Sequence, residues 1–294
     1  MSHELLGVEI VVPTYCPDAY AIENIARMGR MAPTVVVDDG SPPGGSAYLS
    51  EIAALPGVHL LSLPINSGIA AALNLGVVDC IRRGAEFVMT FDQDSSPSDK
   101  YVVEIMRALR RTNLNNLGCI GPGVVSGRKV RGIFLGSDLV TTTQIIQSGM
   151  VIPKSTVQRI GLFDEDLFID AVDTDYCLRM RRAGLQVLAD PELSLEHRLG
   201  AGDGSRQIRI GPFRPTATFH SAARRYYINR NLVHTLRRYG LREPRWAALI
   251  VRRVMIRNLL ACLLEDHRRG KVRAAGLGLW DGFRGESGKC RHIF

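Results

Sequence analysis

Residues 8–41, VEIVVPTYCPDAYAIENIARMGRMAPTVVVDDGS, decide the fold that the sequence predicts. They open with a β-branched run, VEIVVPTY, continue with a helix-like stretch over residues 18–30, and close with a second β-branched run, TVVVDDGS. A strand, a helix and a strand in this order are typical of a unit whose strands pair in parallel. We therefore predict an α/β protein.

The same pattern continues beyond this stretch. A third strand is predicted in VHLLSLPINSG from residue 58, then a helix over residues 68–84 with Ser67 as its N-cap, and a fourth strand in AEFVMTFDQD. A helix after Lys100, a strand in LGCIGPGVV and a helix in DTDYCLRMRRAG follow, and from about His220 the pattern indicates helices with a basic face. We predict a mostly parallel sheet flanked by helices, followed by a helical basic C-terminal region.

This organisation suggests two parts. Residues 1–215 are predicted to form the catalytic domain, with a nucleotide-sugar half at about 8–125 and an acceptor half at about 126–215. Residues 216–294 are predicted to form the helical C-terminal region.

Composition excludes several classes of protein. The chain has 294 residues, 46% of them apolar, which is ample for a globular core. The six cysteines contain no CxxC pair, which argues against a zinc site or a disulfide framework. No apolar run reaches the ~18 residues that a membrane span needs, and the first residues lack the pattern of a signal peptide, so we expect a cytosolic protein.

Acidic side chains follow two of the predicted strands. Asp38 and Asp39 end one strand, and Asp92 and Asp94 follow another in FDQDSS. Parallel strands place their carboxyl ends at one edge, so a single cleft can collect these acids. Paired carboxylates there can hold Mg²⁺ or Mn²⁺ and, through the ion, a diphosphate, although for such a pair taken alone capping of the next helix and solvation are the simpler explanation. An Asp in DDGS can accept the N3 proton of a uracil or thymine ring, or can serve turn chemistry alone.

Six stretches, in this order along the chain, resemble the inverting family 2 glycosyltransferases with the GT-A fold, specifically their rhamnosyltransferase-like branch. They are VVPTY at residue 11, VVVDDGS at 35, NSGIAAALNLG at 66, TFDQDSSPS at 90, SGMVIPKSTVQRIGLFDEDLFIDAVDTDYCLRMRRAG at 148 and HSAARRYYINRN at 220. The resemblance implies a metal-dependent transfer of L-rhamnose from dTDP-β-L-rhamnose to a hydroxyl of a lipid-linked polysaccharide. A UDP-sugar donor, carrying galactofuranose or glucose, is the alternative within the family.

The resemblance also implies a role for individual residues around the donor. Thr14 and Asp39 would hold the nucleobase; Asn66, Gly68 and Asn74 would line the nucleotide; and Asp92 would face the ribose or the sugar. Burial of Asn74 inside its helix is the alternative for that residue. Asp94 and His197 would bind Mg²⁺ or Mn²⁺.

The base and the closing residues are implied in the same way. In many members of the family an acidic pair opens the helix predicted at DTDYCLRMRRAG, and its second member is the general base. Here that position is Asp173, while Val172 replaces the first acid, so Asp170 and Asp175 remain alternatives. Arg225 would close over the diphosphate or meet the acceptor, although an arginine-rich helix is more commonly a solvated surface.

The basic C-terminal half allows further partners. Net charge is +8, and the excess lies mainly after residue 205. In residues 245–264 a basic amphipathic helix could rest on an anionic membrane at the inner face of the cell membrane, or pack against the catalytic domain or a second subunit. A nucleotidyltransferase would need a glycine-rich basic phosphate loop near the N-terminus, which VVPTYCPDAY is not. We do not expect a nucleic-acid partner, because few base-stacking aromatic residues accompany the arginines.

Overall fold

The computed structural model describes residues 7–130, 132–134, 139–197, 204–207, 216–264 and 268–292. These residues divide between two compact units. The first consists of the described parts of Met1–Glu165 and Asp173–Arg198, and the second of those of Asp166–Val172 and Leu199–Phe294.

The strands of the described residues are β1 Val8–Thr14, β2 Thr34–Asp38, β3 Val58–Ser62, β4 Phe87–Thr90, β5 Ser95–Ser96, β6 Leu117–Val125, β7 Arg128–Lys129, β8 Gly132–Phe134, β9 Val140–Thr142, β10 Met150–Pro153, β11 Gln186–His197, β12 Gly204–Gln207 and β13 Thr216–Phe219. The α-helices are α1 Ala19–Met31, α2 Leu49–Ala53, α3 Ile69–Arg82, α4 Tyr101–Arg110, α5 Lys154–Ile160, α6 Val172–Arg182, α7 Ala222–Tyr239, α8 Pro244–Leu264 and α9 Arg268–Arg284.

A mixed sheet forms the centre of the first unit. Its strands follow the order β3-β2-β1-β4-β10-β6-β11-β9-β8, with β5 paired to β11 and β7 paired to β6. The half β3-β2-β1-β4 is parallel throughout, whereas β10 runs antiparallel to both of its neighbours. The predicted α/β class and the parallel order of the first four strands are therefore confirmed.

Burial explains why these segments form strands. Every residue of β2, TVVVD, is buried, and so is nearly all of β1, which is the pattern of strands covered on both faces. Helices α1 and α4 supply apolar residues such as Ile25, Met28 and Ile105 to the core. Because the acids sit at or just past the carboxyl ends of such buried strands, they lie along that edge of the sheet.

The second unit is mainly helical. Helix α7 begins at Ala222 after the N-cap Ser221, whose hydroxyl accepts a hydrogen bond from the Arg224 amide at 3.2 Å. Its Tyr226 and Tyr227 form a buried cluster with Ala274 of α9. Strands β12 and β13 pair with each other in antiparallel orientation. In the described part of the chain, none of the helices combines the length and the hydropathy that crossing a bilayer requires.

Candidate active site

The carboxyl ends of β1 and β2 lie side by side. Thr14 and Asp38 are register partners in the parallel ladder, and the Asp39 amide donates to the Thr14 carbonyl at 2.8 Å. The carboxylate of Asp38 accepts from the amide and the hydroxyl of Ser41, so this aspartate closes the turn of DDGS. The adjacent Asp39 instead bonds to the loop before α3.

Asp39 holds the start of α3. Its carboxylate accepts from the Ser67 amide at 2.6 Å and from the Gly68 amide at 2.9 Å, and it is only 5% exposed. Gly68, with φ 97°, occupies the N-cap position, which corrects the prediction that Ser67 caps this helix. The Ser67 hydroxyl donates to the Ile65 carbonyl instead. A glycine is needed at this cap because other residues rarely adopt such a φ.

Two side chains that the sequence did not single out surround Thr14. Gln93 accepts hydrogen bonds from the Thr14 hydroxyl and from the Tyr15 amide, and it donates to the Tyr15 carbonyl. Tyr15 is 44% exposed and shares a hydrogen bond with the side chain of Asn66. Burial of its hydroxyl and the neighbouring Cys16 raise the pKa of Tyr15. Thr14, Tyr15, Asn66 and Gln93 thus form one polar rim.

Asp92, Asp94 and His197 come together although the last lies about a hundred residues from the others in sequence. Their ligand atoms all lie within 4.8 Å of one another, and each side chain is partly exposed. The Nδ1 atom of His197 is 3.5 Å from Asp94 Oδ1 and 3.9 Å from Asp92 Oδ2. Carboxylate oxygens and an imidazole nitrogen suit Mn²⁺ or Mg²⁺, so the donor set fits such an ion.

A chain of hydroxyls orients this cluster. The Ser148 hydroxyl accepts from the Asp92 amide at 3.1 Å and lies 2.6 Å from the Ser95 hydroxyl, which in turn lies 2.9 Å from His197 Nδ1. The Gln147 side-chain amide donates to Asp92 Oδ1. Ser95 and Ser148 are fully buried. Partners of this kind fix the orientation of ligands, and sequence reasoning assigned none of them that role.

Asn74 lies buried in α3. Its side-chain amide donates to the Phe163 carbonyl at 3.0 Å and to Glu165 Oε1 at 2.8 Å, and its oxygen accepts from the Phe163 amide at 2.9 Å. The alternative that we left open for Asn74, a buried residue bonded to backbone, is therefore the arrangement observed.

The three acids around α6 have different surroundings. Asp173 is partly exposed in the first turn, where its carboxylate accepts from the Thr174 amide at 2.7 Å. Asp175 is fully buried, and the Nε atom of Arg179 donates to it at 2.8 Å. The same guanidinium donates to the carbonyls of Ile160 and Leu162. Asp175 therefore belongs to an ion pair in which the carboxylate is fully buried and the arginine partly exposed.

Asp170 lies in a turn of unusual backbone in the second unit. Phe168, Asp170 and Ala171 have φ values of 63°, 64° and 63°, in the left-handed region that residues other than glycine seldom occupy. The Arg224 Nε atom lies 3.3 Å from both carboxylate oxygens of Asp170. The Asn231 side-chain amide donates to the carbonyls of Leu167, Ile169 and Asp170 at 2.8 to 2.9 Å.

Arg225 also lies in the second unit, where it is 2% exposed. Its Nη1 atom donates to Asn258 Oδ1 at 3.1 Å and to the Arg257 carbonyl at 3.3 Å, both on α8. These contacts tie α7 to α8. The role of Arg225 over a diphosphate remains a prediction.

Known proteins resemble this chain in sequence. Residues 10–144 match the family Glycosyl transferase family 2. The chain is 27% identical to the dTDP-rhamnosyl transferase RfbF of Shigella flexneri over 303 aligned positions, covering 97% of this chain and 98% of that protein. It is 32% identical to the polyprenol monophosphomannose synthase of Mycolicibacterium smegmatis, but over 42% of this chain and 47% of that protein.

Solved structures share the fold. The mannosyltransferase PcManGT of Pyrobaculum calidifontis, solved with GDP-Man and Mn²⁺, aligns over 95% of this chain and 75% of its own length, with a TM-score of 0.54 and 16% identity. GalNAc-T7, solved with UDP, GalNAc and Mn²⁺, aligns over 67% of this chain and 44% of its own length, with a TM-score of 0.51 and 13% identity. The predicted GT-A fold is confirmed. Residues 10–144 form a glycosyltransferase family 2 domain, and the chain is a glycosyltransferase, as the sequence predicts.

Proposed function

We propose that the protein transfers L-rhamnose from dTDP-β-L-rhamnose, with inversion, to a hydroxyl of a saccharide acceptor carried on a lipid. The observation that carries this proposal is the alignment with a dTDP-rhamnosyl transferase over nearly the full length of both chains. A match of that extent covers the second unit as well as the family 2 domain.

In this proposal Asp92, Asp94 and His197 hold Mg²⁺ or Mn²⁺. The fit of the donor set and the buried hydroxyl chain that orients it support the assignment. When bound, the ion supplies positive charge that balances the charge growing on the leaving diphosphate. Asp92 can also reach toward the ribose or the sugar, because it is a partly exposed member of the cluster.

The nucleotide would lie along the ends of β1 and β2. Asp39 keeps the amides of Ser67 and Gly68 in place, and the amino end of α3 beyond them favours negative charge. Thr14 and Asn66 contribute polar atoms beside the half-exposed ring of Tyr15, which is suited to stack on a base. We assign to Asp39 the role of accepting a hydrogen bond from the N3–H of the pyrimidine ring.

Asp173 is the residue that we propose as general base. It is partly exposed at the amino end of α6, where the helix dipole favours the ionised carboxylate that takes up the acceptor proton. Asp175 is engaged by Arg179 and buried, and Asp170 is engaged by Arg224.

Calorimetric titration with dTDP, UDP and GDP, each with Mn²⁺, with Mg²⁺ and with EDTA, tests the proposal. We expect dTDP to bind more tightly than the other nucleotides and to need the ion. Turnover with dTDP-β-L-rhamnose, followed by NMR of the anomeric proton, then tests inversion. A preference for UDP would replace rhamnose by a galactofuranosyl or glucosyl donor, and an absence of binding to all three nucleotides would overturn the assignment of this site.

A further inference from the structure

Helix α8 presents an apolar surface that nothing in the described residues covers. One side of the helix is buried within the second unit, where Trp246, Val254 and Ala261 are at most 7% exposed. On the opposite side, large apolar side chains recur at helical spacing. They are Leu249, Met255, Ile256, Leu259 and Leu263, each between 49% and 65% exposed.

Helix α9 carries a similar set. Val272, Leu279, Trp280 and Phe283 are between 36% and 69% exposed, with Phe283 the highest. An exposed tryptophan and phenylalanine three residues apart are unusual on a soluble surface, and tryptophan is enriched where protein meets a membrane interface. Scattered apolar residues need no explanation, but two helical sets in one unit indicate a binding surface.

The positive charge on α8 and α9 indicates what kind of partner these surfaces bind. The exposed charged residues of the described parts of α8 and α9 are all basic, including Arg245, Arg252 and Arg253. The one acid in these helices, Asp281, is buried and accepts from the Tyr226 hydroxyl. A second copy of this chain would bring two positive faces together, whereas an anionic bilayer offers both negative charge and an apolar interior.

We propose that the exposed faces of α8 and α9 dock the protein on an anionic lipid surface, with the apolar side chains entering the interface and the arginines meeting lipid phosphates. This inference is independent of which nucleotide sugar is used. It rests on exposure and charge in the second unit alone.

Sedimentation with vesicles tests it. Wild-type protein is mixed with vesicles of phosphatidylcholine alone or with about one third phosphatidylglycerol, at low salt and at about 0.5 M salt, where charge is screened beyond a few ångströms. We expect binding to the anionic vesicles to be about tenfold stronger than to the neutral ones and to fall at high salt.

Two variants and two matched controls locate the surface. Leu259→Ser with Leu263→Ser, and separately Arg245→Gln with Arg252→Gln, are each expected to weaken vesicle binding about tenfold or more. Ile133→Ser, at a position 76% exposed on β8, and Arg30→Gln, at an exposed position of α1, are expected to bind as the wild type does. Unchanged dTDP calorimetry and thermal unfolding establish that each variant is folded.

Three results would overturn the inference: equal binding to neutral and anionic vesicles, undiminished binding by both α8 variants, or equal losses in the controls. Light scattering adds a further check. If the apolar variant converts a dimer to a monomer and leaves vesicle binding unchanged, the face joins two copies of the chain and does not dock on lipid.

Discussion

His197 Nδ1 lies 3.5 Å from Asp94 Oδ1, although the two residues are about a hundred positions apart in the chain. The pairing of β5 with the end of β11 produces this proximity, because His197 is the register partner of Ser95. A residue of the loop after β4 and the last residue of β11 are thereby held in one cluster with Asp92.

Removing one carboxylate of this cluster tests its role as a metal site. Asp94→Asn is expected to weaken dTDP binding about tenfold or more in Mn²⁺ and to leave binding in EDTA unchanged, since an amide is a poor ligand for the ion. Calorimetry measures both. Asp99→Asn is the control, because this nearby carboxylate is 85% exposed. A variant that kept the full response to Mn²⁺ would place the ion elsewhere.

Replacing the proposed base separates binding from chemistry. Asp173→Asn is expected to lower turnover about a hundredfold or more while the affinity for dTDP is retained, because a base acts on the acceptor and not on the donor. Initial rates and calorimetry give the two quantities. Asp175→Asn is expected instead to lower the melting temperature, since it breaks the ion pair of the buried carboxylate with Arg179. Wild-type turnover by Asp173→Asn would transfer the role to another acid.

The sequence predicts the strands of the parallel half and the acids at their ends, because both follow from local patterns. β-branched runs mark β1 and β2, and strand direction places Thr14 beside Asp38. The supports of the site could not be predicted in this way. Ser148 lies 53 residues from Ser95 in the sequence, and no local pattern predicts a contact across such a separation.

The turn before α6 was unpredictable for a different reason. Left-handed φ values at Phe168, Asp170 and Ala171 oppose the intrinsic preference of those residues, at a cost of roughly 1 kcal/mol or more each. Asn231, far along the chain, makes the turn stable by bonding three of its carbonyls. The sequence predicts only that INRN, residues 228–231, lies in a basic helix. It gives no sign that Asn231 bonds to the turn before α6.

Asn231→Ala is therefore expected to be strongly destabilising. The side chain is fully buried, and its loss removes three hydrogen bonds to the carbonyls of the turn, at about 2 kcal/mol or more of unfolding free energy. Urea denaturation measures the change. Asn116→Ala, at an exposed position, is the control and should change stability little. Equal stability of the two variants would show that the turn holds its conformation without Asn231.

Asp281 gives a pH-dependent contribution to stability. Burial raises the pKa of its carboxyl, but hydrogen bonds from Tyr226 and His292 outweigh that effect and leave the pKa below its ordinary value. A carboxyl with a lowered pKa stabilises the fold above its unfolded-state pKa of about 3.9 and loses that contribution as the pH falls. Asp281→Asn should thus lower the unfolding free energy at neutral pH, and the difference from wild type should close below about pH 4. A difference that did not change with pH would contradict this.

Gly149 tests whether close packing beside the cluster is necessary. It follows Ser148, has φ 78°, and an added Cβ would lie 2.3 Å from the hydroxyl oxygen of Tyr101, which is fully buried and donates to the Gly149 carbonyl. Gly184 has a similar φ of 77° but open space around a Cβ, so Gly184→Ala carries only the backbone penalty of about 1 kcal/mol. Gly149→Ala adds a clash and is expected to lower the unfolding free energy by about 3 kcal/mol in urea denaturation.

Gly149→Ala should also weaken metal-dependent dTDP binding, because a shifted Ser148 no longer holds Asp92 and Ser95. Equal costs for the two substitutions would mean that Tyr101 moves aside freely, and that the buried hydroxyl chain does not depend on the glycine.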